Sequence, residues 1–536
     1  MARTTHWYKA IGAGLVAVLT GALLSPSAAA AAAGPVPYQF IAKAYTEGLG
    51  RAPDQPSWTA AEAQFVNQGC NVANLKAFGK SVLTSAEFNA LGYDNTSRMM
   101  VAYRTILNRD PDAAGLAHAV NLLNNGAITW SGMLDDMYAS PEFAGLSGTI
   151  CSAGNPDYNF GTAPAPTVAT KGAGFTGTQA QLQSRLNATP SGGTLALAQR
   201  AVVRISSSSL VVPPGVTLTT TGAPTPSRYA DMGRIVRADT WPTFAAATIV
   251  LRPGAKLRNV WVDGQMGVPG SGASRRYVSA AYNVQSLSGT GNEVSRSRVG
   301  NSAGATNIQA RGVNDESDRC VDNVYTDNLI EGYSSDHTGG NWTDGLSIGC
   351  EDSEVANNQI IDATDVPLIL FGQGDFTQTS QMHHNVIVNA GQATFAAIGV
   401  DPWNAYPDLG DGPGVASSSF AGARIHDNTF WNNSRIPHAI GITVGTRAWH
   451  GPYAWQGNAV AVTNNTKGSL PLYAETGIVV AGMLNATVTG NSLPNQLVDT
   501  TSSCTSANVG AAVSAGYASG TIQGPFLDTD YNTCIG

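Results

Sequence analysis

The 536-residue chain carries 29 Lys and Arg against 37 Asp and Glu, a formal net charge of −8, and only 12% charged residues. That balance excludes a basic nucleic-acid binder or a ligand of anionic membranes and weighs against a strongly acidic polymer as substrate. The chain is too long for one ordinary core, so several domains or one elongated repeat domain is expected.

Residues 1–33 read as a signal peptide. Arg3 and Lys9 precede an apolar run over 10–24, Ser25 and Pro26 break it, and alanines over 28–33 supply A-x-A sites. The run is too short to span a bilayer, and no later segment is apolar enough. A secreted, extracellular chain follows from this reading. The six cysteines, Cys70, Cys151, Cys320, Cys350, Cys504 and Cys534, are expected to pair with their nearest neighbours in an oxidising compartment. Metal ligation is the weaker alternative, because none has C-x-x-C spacing.

Residues 34–151 contain a tandem helical repeat. Tyr45 and Gly50-Arg51-Ala52-Pro53-Asp54 return as Tyr103 and Asn108-Arg109-Asp110-Pro111-Asp112, and Ser85-Ala86-Glu87-Phe88 returns as Ser140-Pro141-Glu142-Phe143. Met99, Met100, Tyr103, Ile106 and Leu107 keep helical spacing. Each unit is expected to be a helix, an R-x-P-D turn, and two further helices. Arg51 with Asp54 and Arg109 with Asp112 read as turn-stabilising pairs, a ligand site being the alternative. The second copy closely resembles the bacterial DUF4214 family, which implies an extracellular module and suggests a cell-surface glycan as its partner. Residues 152–174, rich in Gly, Ala, Pro and Thr, read as a linker.

From residue 175 to 536 the pattern becomes one of short strands. An amphipathic helix over 181–188 precedes Pro214-Gly215-Val216-Thr217-Leu218, resembling the opening of pectate-lyase-like β-helices, in which something must cover the open solenoid end. Repeating strand–bend–strand units follow, with Asn328, Asn358, Asn385, Asn428, Asn465 and Asn491 at the bends, where stacked amides can form a ladder. Third strands lie between them. The fold class expected is mainly β: a right-handed parallel β-helix preceded by a small all-α domain, working as a monomer. A β-sandwich is the alternative.

Chemistry concentrates between Ser335 and Asp365. Asp344 and Asp365 stand 21 residues apart, one rung. Each precedes a strand isoleucine, Ile348 and Ile369, by four positions, so the carboxylates are expected to stack on adjacent strands and raise one another's pKa. Such a pair suits glycoside hydrolysis. The stretch resembles the polygalacturonase-like hydrolases in part. Their N-T-D appears as Asn341-Trp342-Thr343-Asp344, their D-D as Thr364-Asp365, and their G-H-G and R-I-K are absent. The missing first Asp leaves the leaving-group acid open. A second cluster at the other end of the same strands, with Glu351, Asp352, Asp375 and Arg447, adds Asp401 as a third catalytic candidate. His337, Trp342, Trp403, Arg447 and Trp449 are the candidate substrate contacts. His383, His384 and His426 read as structural. No cofactor or metal is expected. The functional reading is a polysaccharide hydrolase. A lyase using Arg311, Arg319 or Arg447, and a non-catalytic glycan-binding adhesin, are the alternatives.

Overall fold

A computed structural model describes residues 36–153, 168–206, 208–238, 247–265, 278–311, 320–332, 342–372, 377–391, 393–402, 416–433, 438–445, 456–470, 474–480, 483–492, 511–513 and 521–522. The expected signal peptide, residues 1–33, and Cys504 and Cys534 lie outside these residues. Among the described residues no helix is long and apolar enough to cross a membrane.

The C-terminal part is a right-handed parallel β-helix. Its three long sheets contain eleven, eight and ten strands among the described residues. One rung shows the path: Glu354–Ala356 lies on the first face, Gln359–Ile361 on the second and Leu368–Phe371 on the third, before the chain returns to the first at Gln381–His383. Alternation drives this winding. Val355, Ile360, Leu368 and Leu370 point inward and are fully buried, and the next rung stacks Met382, Ile387, Ile398 and Val400 on them. Strand side chains alternate between faces, so each short strand gives every second residue to the core.

The bend asparagines form the expected ladder. Each Nδ2 donates to the next rung's Oδ1, from Asn328 through Asn358, Asn385, Asn428 and Asn465 to Asn491, at 2.8–2.9 Å. The left-handed backbone, however, belongs to the residue before each asparagine: Asp327, Asn357, His384, Asp427, Asn464 and Gly490 have φ between 54° and 68°. The asparagines supply the amides, and their predecessors make the turn.

The helix Gln179–Ala188 starts in a capping box at Thr178 and buries Leu182 and Leu186 in the solenoid core, closing its N-terminal end. Cys70–Cys151 and Cys320–Cys350 are disulfide-bonded, as nearest-neighbour pairing predicts.

The helical repeat has four helices per copy, one more than expected. The first copy comprises Tyr38–Thr46, Gln55–Gln68, Val72–Leu83 and Ala86–Ala90, and the second Asn95–Leu107, Ala113–Asn124, Trp130–Tyr138 and Pro141–Ala153. Asp54 and Asp112 cap the second helix of each copy, accepting from the backbone of Ser57 and Gly115. Arg51 and Arg109 grip Glu87 and Glu142 with paired hydrogen bonds of 2.5–2.9 Å. The repeated R-x-P-D and S-x-E-F motifs are therefore two halves of one clasp.

The helices lie against the outer face of the second sheet. There Trp261, Leu329, Ile361, Val388 and Trp431, all outward on their strands, join the helical core. A buried chain of alternating charges crosses this seam: Glu331, Arg298, Glu47, Arg104, Asp110, Arg234 and Asp263. Glu47, Arg104 and Asp110 come from the helices, the other four from the solenoid. None is more than 2% exposed. Trp261 stacks beneath it, 3.9 Å from Arg234 and 4.6 Å from Arg104.

Candidate active site on the third sheet

Asp344 opens the strand Asp344–Ile348, and Asp365 lies just before Leu368–Phe371 on the next rung. The cross-strand register differs from expectation by one residue. Leu346 pairs with Leu368, Ser347 with Ile369 and Ile348 with Leu370. Inward residues must face inward residues, and Ile369 is on the outer side, so it cannot match Ile348. Asp344 consequently faces the backbone of Val366, whose N–H donates to its Oδ1 at 2.9 Å. The other oxygen, Oδ2, accepts from the Ser347 hydroxyl at 2.6 Å. On a regular strand residues 344 and 347 point to opposite faces. Thr306 pairs with Asp344 and Ile308 with Leu346 in one continuous register, yet the Asp344 and Ser347 side chains meet. Glycine is needed at 345 because a Cβ there would stand 2.3 Å from the Pro367 carbonyl oxygen.

The backbone around the two acids is also held. Asn307, fully buried, donates to the Asp344 carbonyl at 3.2 Å and accepts from buried Asn283 at 3.1 Å. Thr343 is tied to Gly304 through its hydroxyl and to Thr364 through its N–H. Asp365 donates its own N–H to the Thr343 carbonyl, and its carbonyl accepts from the Thr394 hydroxyl at 2.5 Å.

The two carboxyls nonetheless differ. Burial pushes Asp344 up to about 6, with Ser347 and the Val366 N–H pulling against it. Asp365 is raised well above the ordinary carboxylate range, first by burial and then by the charge of Asp344. Among the described residues nothing donates a hydrogen bond to the Asp365 carboxyl. One member of the pair is therefore solvated by protein donors and the other is not, which separates their protonation.

Asp401 ends the strand Thr394–Asp401, opposite Phe371, at the far end of the same sheet. It is 4% exposed, and its charge is the weakest of the influences named for Asp344. The structure thus brings Asp344 and Asp365 together and leaves Asp401 apart. Trp342, half-buried, stands at the mouth of the Asp344 strand. His337, Trp403, Arg447 and Trp449 lie outside the described residues. Between the acid pair and Asp401 the outer side of the sheet offers Ser347, Ile369, Phe371 and Gly399. Among the described residues no group of His, Cys, Asp and Glu is arranged to hold a metal ion. His383, His384 and His426 cluster on the first face, remote from the pair, with His383 bonded to Glu354 and His426 to Asp427.

A family model described as a domain of unknown function, DUF4214, matches residues 79–147, spanning the end of the first helical copy and the whole R-x-P-D to S-P-E-F stretch of the second. Among solved structures the chain is similar to a polygalacturonase from Erwinia carotovora ssp. carotovora, at 13% identity over 62% of this chain and 98% of that one, with a TM-score of 0.39. It is also similar to an endo-xylogalacturonan hydrolase from Aspergillus tubingensis, at 14% identity over 64% and 96%, TM-score 0.35. PfbA, a surface adhesin of Streptococcus pneumoniae, matches at 10% identity over 57% and 78%, TM-score 0.33. No curated protein matches the chain. At such distances the chemistry has to be read from this chain's own residues.

Proposed function

We propose that the chain is an exported glycoside hydrolase that cleaves a polysaccharide lying across the third sheet. Asp365 is the general acid and Asp344 its ionised partner. The observation that carries this reading is the asymmetry of the pair. Asp365, desolvated and facing a neighbouring negative charge, holds its proton to a higher pH than an ordinary carboxyl and can give it to a leaving glycosidic oxygen. Asp344, with both oxygens accepting hydrogen bonds, keeps its charge and can activate water or attack the sugar. This also answers the gap left by the absent first Asp of the D-D motif: Asp365 itself takes the acid role. Sugar rings stacking on Trp342 and Phe371 fit the same groove.

The test is a panel of plant, fungal and bacterial cell-wall glycans, followed in parallel for new reducing ends and for ultraviolet absorbance of an unsaturated uronate. Reducing ends without absorbance, lost in Asp344→Asn and in Asp365→Asn, support the hydrolase. Absorbance supports the lyase reading instead. One feature favours that second reading: Arg311, on the outer side of the same sheet beside Gly349, has its Nε buried without a hydrogen-bond partner among the described residues. Binding without either signal would support an adhesin.

A further inference from the structure

We propose that Ser347, backed by Thr306, is a positioning residue that fixes the Asp344 carboxylate for its part in the reaction. The inference rests on the hydrolase reading above and adds to it a residue outside the acid pair.

Three observations converge on Ser347. Its hydroxyl donates to Asp344 Oδ2 at 2.6 Å, a short bond of the charge-assisted kind. Its own oxygen lies 3.3 Å from the Thr306 hydroxyl. Thr306 also helps to hold the Asp344 carboxyl, pulling its pKa down alongside Ser347. The row is buried, with Thr306 2% and Ser347 3% exposed, so water does not replace the bond cheaply. The second oxygen of Asp344 is fixed independently by the Val366 N–H, and a carboxylate held at both oxygens has one orientation. Nothing in strand geometry requires this arrangement. Strand alternation by itself would hold the two side chains on opposite faces, yet here they meet. A serine kept for packing alone would not need its hydroxyl aimed at a carboxylate three residues back.

Ser347 acts on the ionised form of Asp344 by donating to it. Removing the hydroxyl therefore raises the pKa of Asp344 and frees its rotation, while leaving Asp365 its proton.

The first readout needs no substrate. Thermal unfolding of the full chain is followed between about pH 4 and about pH 8, the ionisation range of the pair, for the wild type, Ser347→Ala, Asp344→Asn and the double variant. Ser347→Ala should lower Tm where Asp344 is ionised and much less where it is protonated, and this pH-dependent loss should vanish in the Asp344→Asn background. On any glycan the chain cleaves, Ser347→Ala should move the acid limb of kcat/KM upward by about one pH unit, the scale of one hydrogen bond to a charged group. Ser347→Thr, which keeps a hydroxyl, should bring it back. A Tm loss of equal size at both ends of the range, or one that persists in Asp344→Asn, overturns the proposal. So does an acid limb that stays in place. If the stability coupling appears while no glycan is ever cleaved, the positioning inference stands and the hydrolase reading falls.

Discussion

Carboxylates drawn in from water occur in two regions of this molecule, fully buried in one and half-buried in the other, and their neighbours differ. At the seam between the helices and the second sheet, Glu47, Asp110, Asp263 and Glu331 alternate with three arginines. Although burial opposes it, Arg104 and Arg298 hold Glu47 well below the usual carboxylate range. Glu331, at the end of the row, is lifted by burial to about 7, with Arg298 pulling against it. On the third sheet, Asp344 and Asp365 are also drawn in from water, yet no arginine or lysine meets either one among the described residues. Their nearest charge is each other. A buried carboxylate beside a guanidinium contributes to assembly. One beside another carboxylate raises the energy of its ionised form, and that arrangement persists where protons are to be moved. Burial alone therefore does not separate the structural acids from those proposed to act in catalysis. Their neighbours do.

The sharpest way to break the comparison is to remove a seam cation. Arg298→Ala leaves Glu47 and Glu331 buried without their shared partner and should cost about 3–5 kcal/mol, read as a large fall in Tm or as insoluble protein. A small change would mean that water reaches the seam. Next, Asp365→Asn should reduce glycan cleavage by about 10²–10⁴-fold, with substrate binding retained in a sedimentation or calorimetric assay. The same substitution sharpens the comparison through stability. In the folded chain both carboxyls titrate above their ordinary value. The contribution of Asp344 is present below about pH 4 and is lost as pH rises through about 6; that of Asp365 is lost in the same direction. Asp365→Asn should thus stabilise the chain at neutral pH by about 1–2 kcal/mol and have almost no effect in acid, as measured by Tm against pH. Stabilisation at the seam by the same type of change, Glu47→Gln, is not expected. The smallest effect belongs to the exposed clasp: Arg51→Ala should cost about 1 kcal/mol or less, since Arg51 and Glu87 are each partly in water.

Much of the solenoid was legible because it repeats. The asparagine bends, the third-face strands such as Phe395 to Val400, the capping helix and the nearest-neighbour disulfides all rest on local periodicity, and local periodicity survives folding. The seam was not legible. Arg298 meets Glu47 across 251 positions and Arg234 meets Asp110 across 124, and neither spacing carries a periodic signal. The acid pair stood between these extremes. Its one-rung separation marked Asp344 and Asp365, but the strand register is offset by one residue from the isoleucine match. Ser347 went unremarked because strand alternation puts it on the face opposite Asp344. The two side chains meet only in the folded strand.

The seam has a mechanical consequence. Stacked repeats ordinarily communicate only with their neighbours, and can peel one at a time. Here a single helical body touches Ser227 through Tyr93, Gln359 through Ala52, and Lys467 and Ser469 through Gln55. It runs alongside the stack like a strut, clamping coils that never meet one another. Coils between those points cannot unwind independently without tearing the strut away. This stretch of the spring should therefore behave as one rigid bar, holding the strands of the third sheet at fixed pitch.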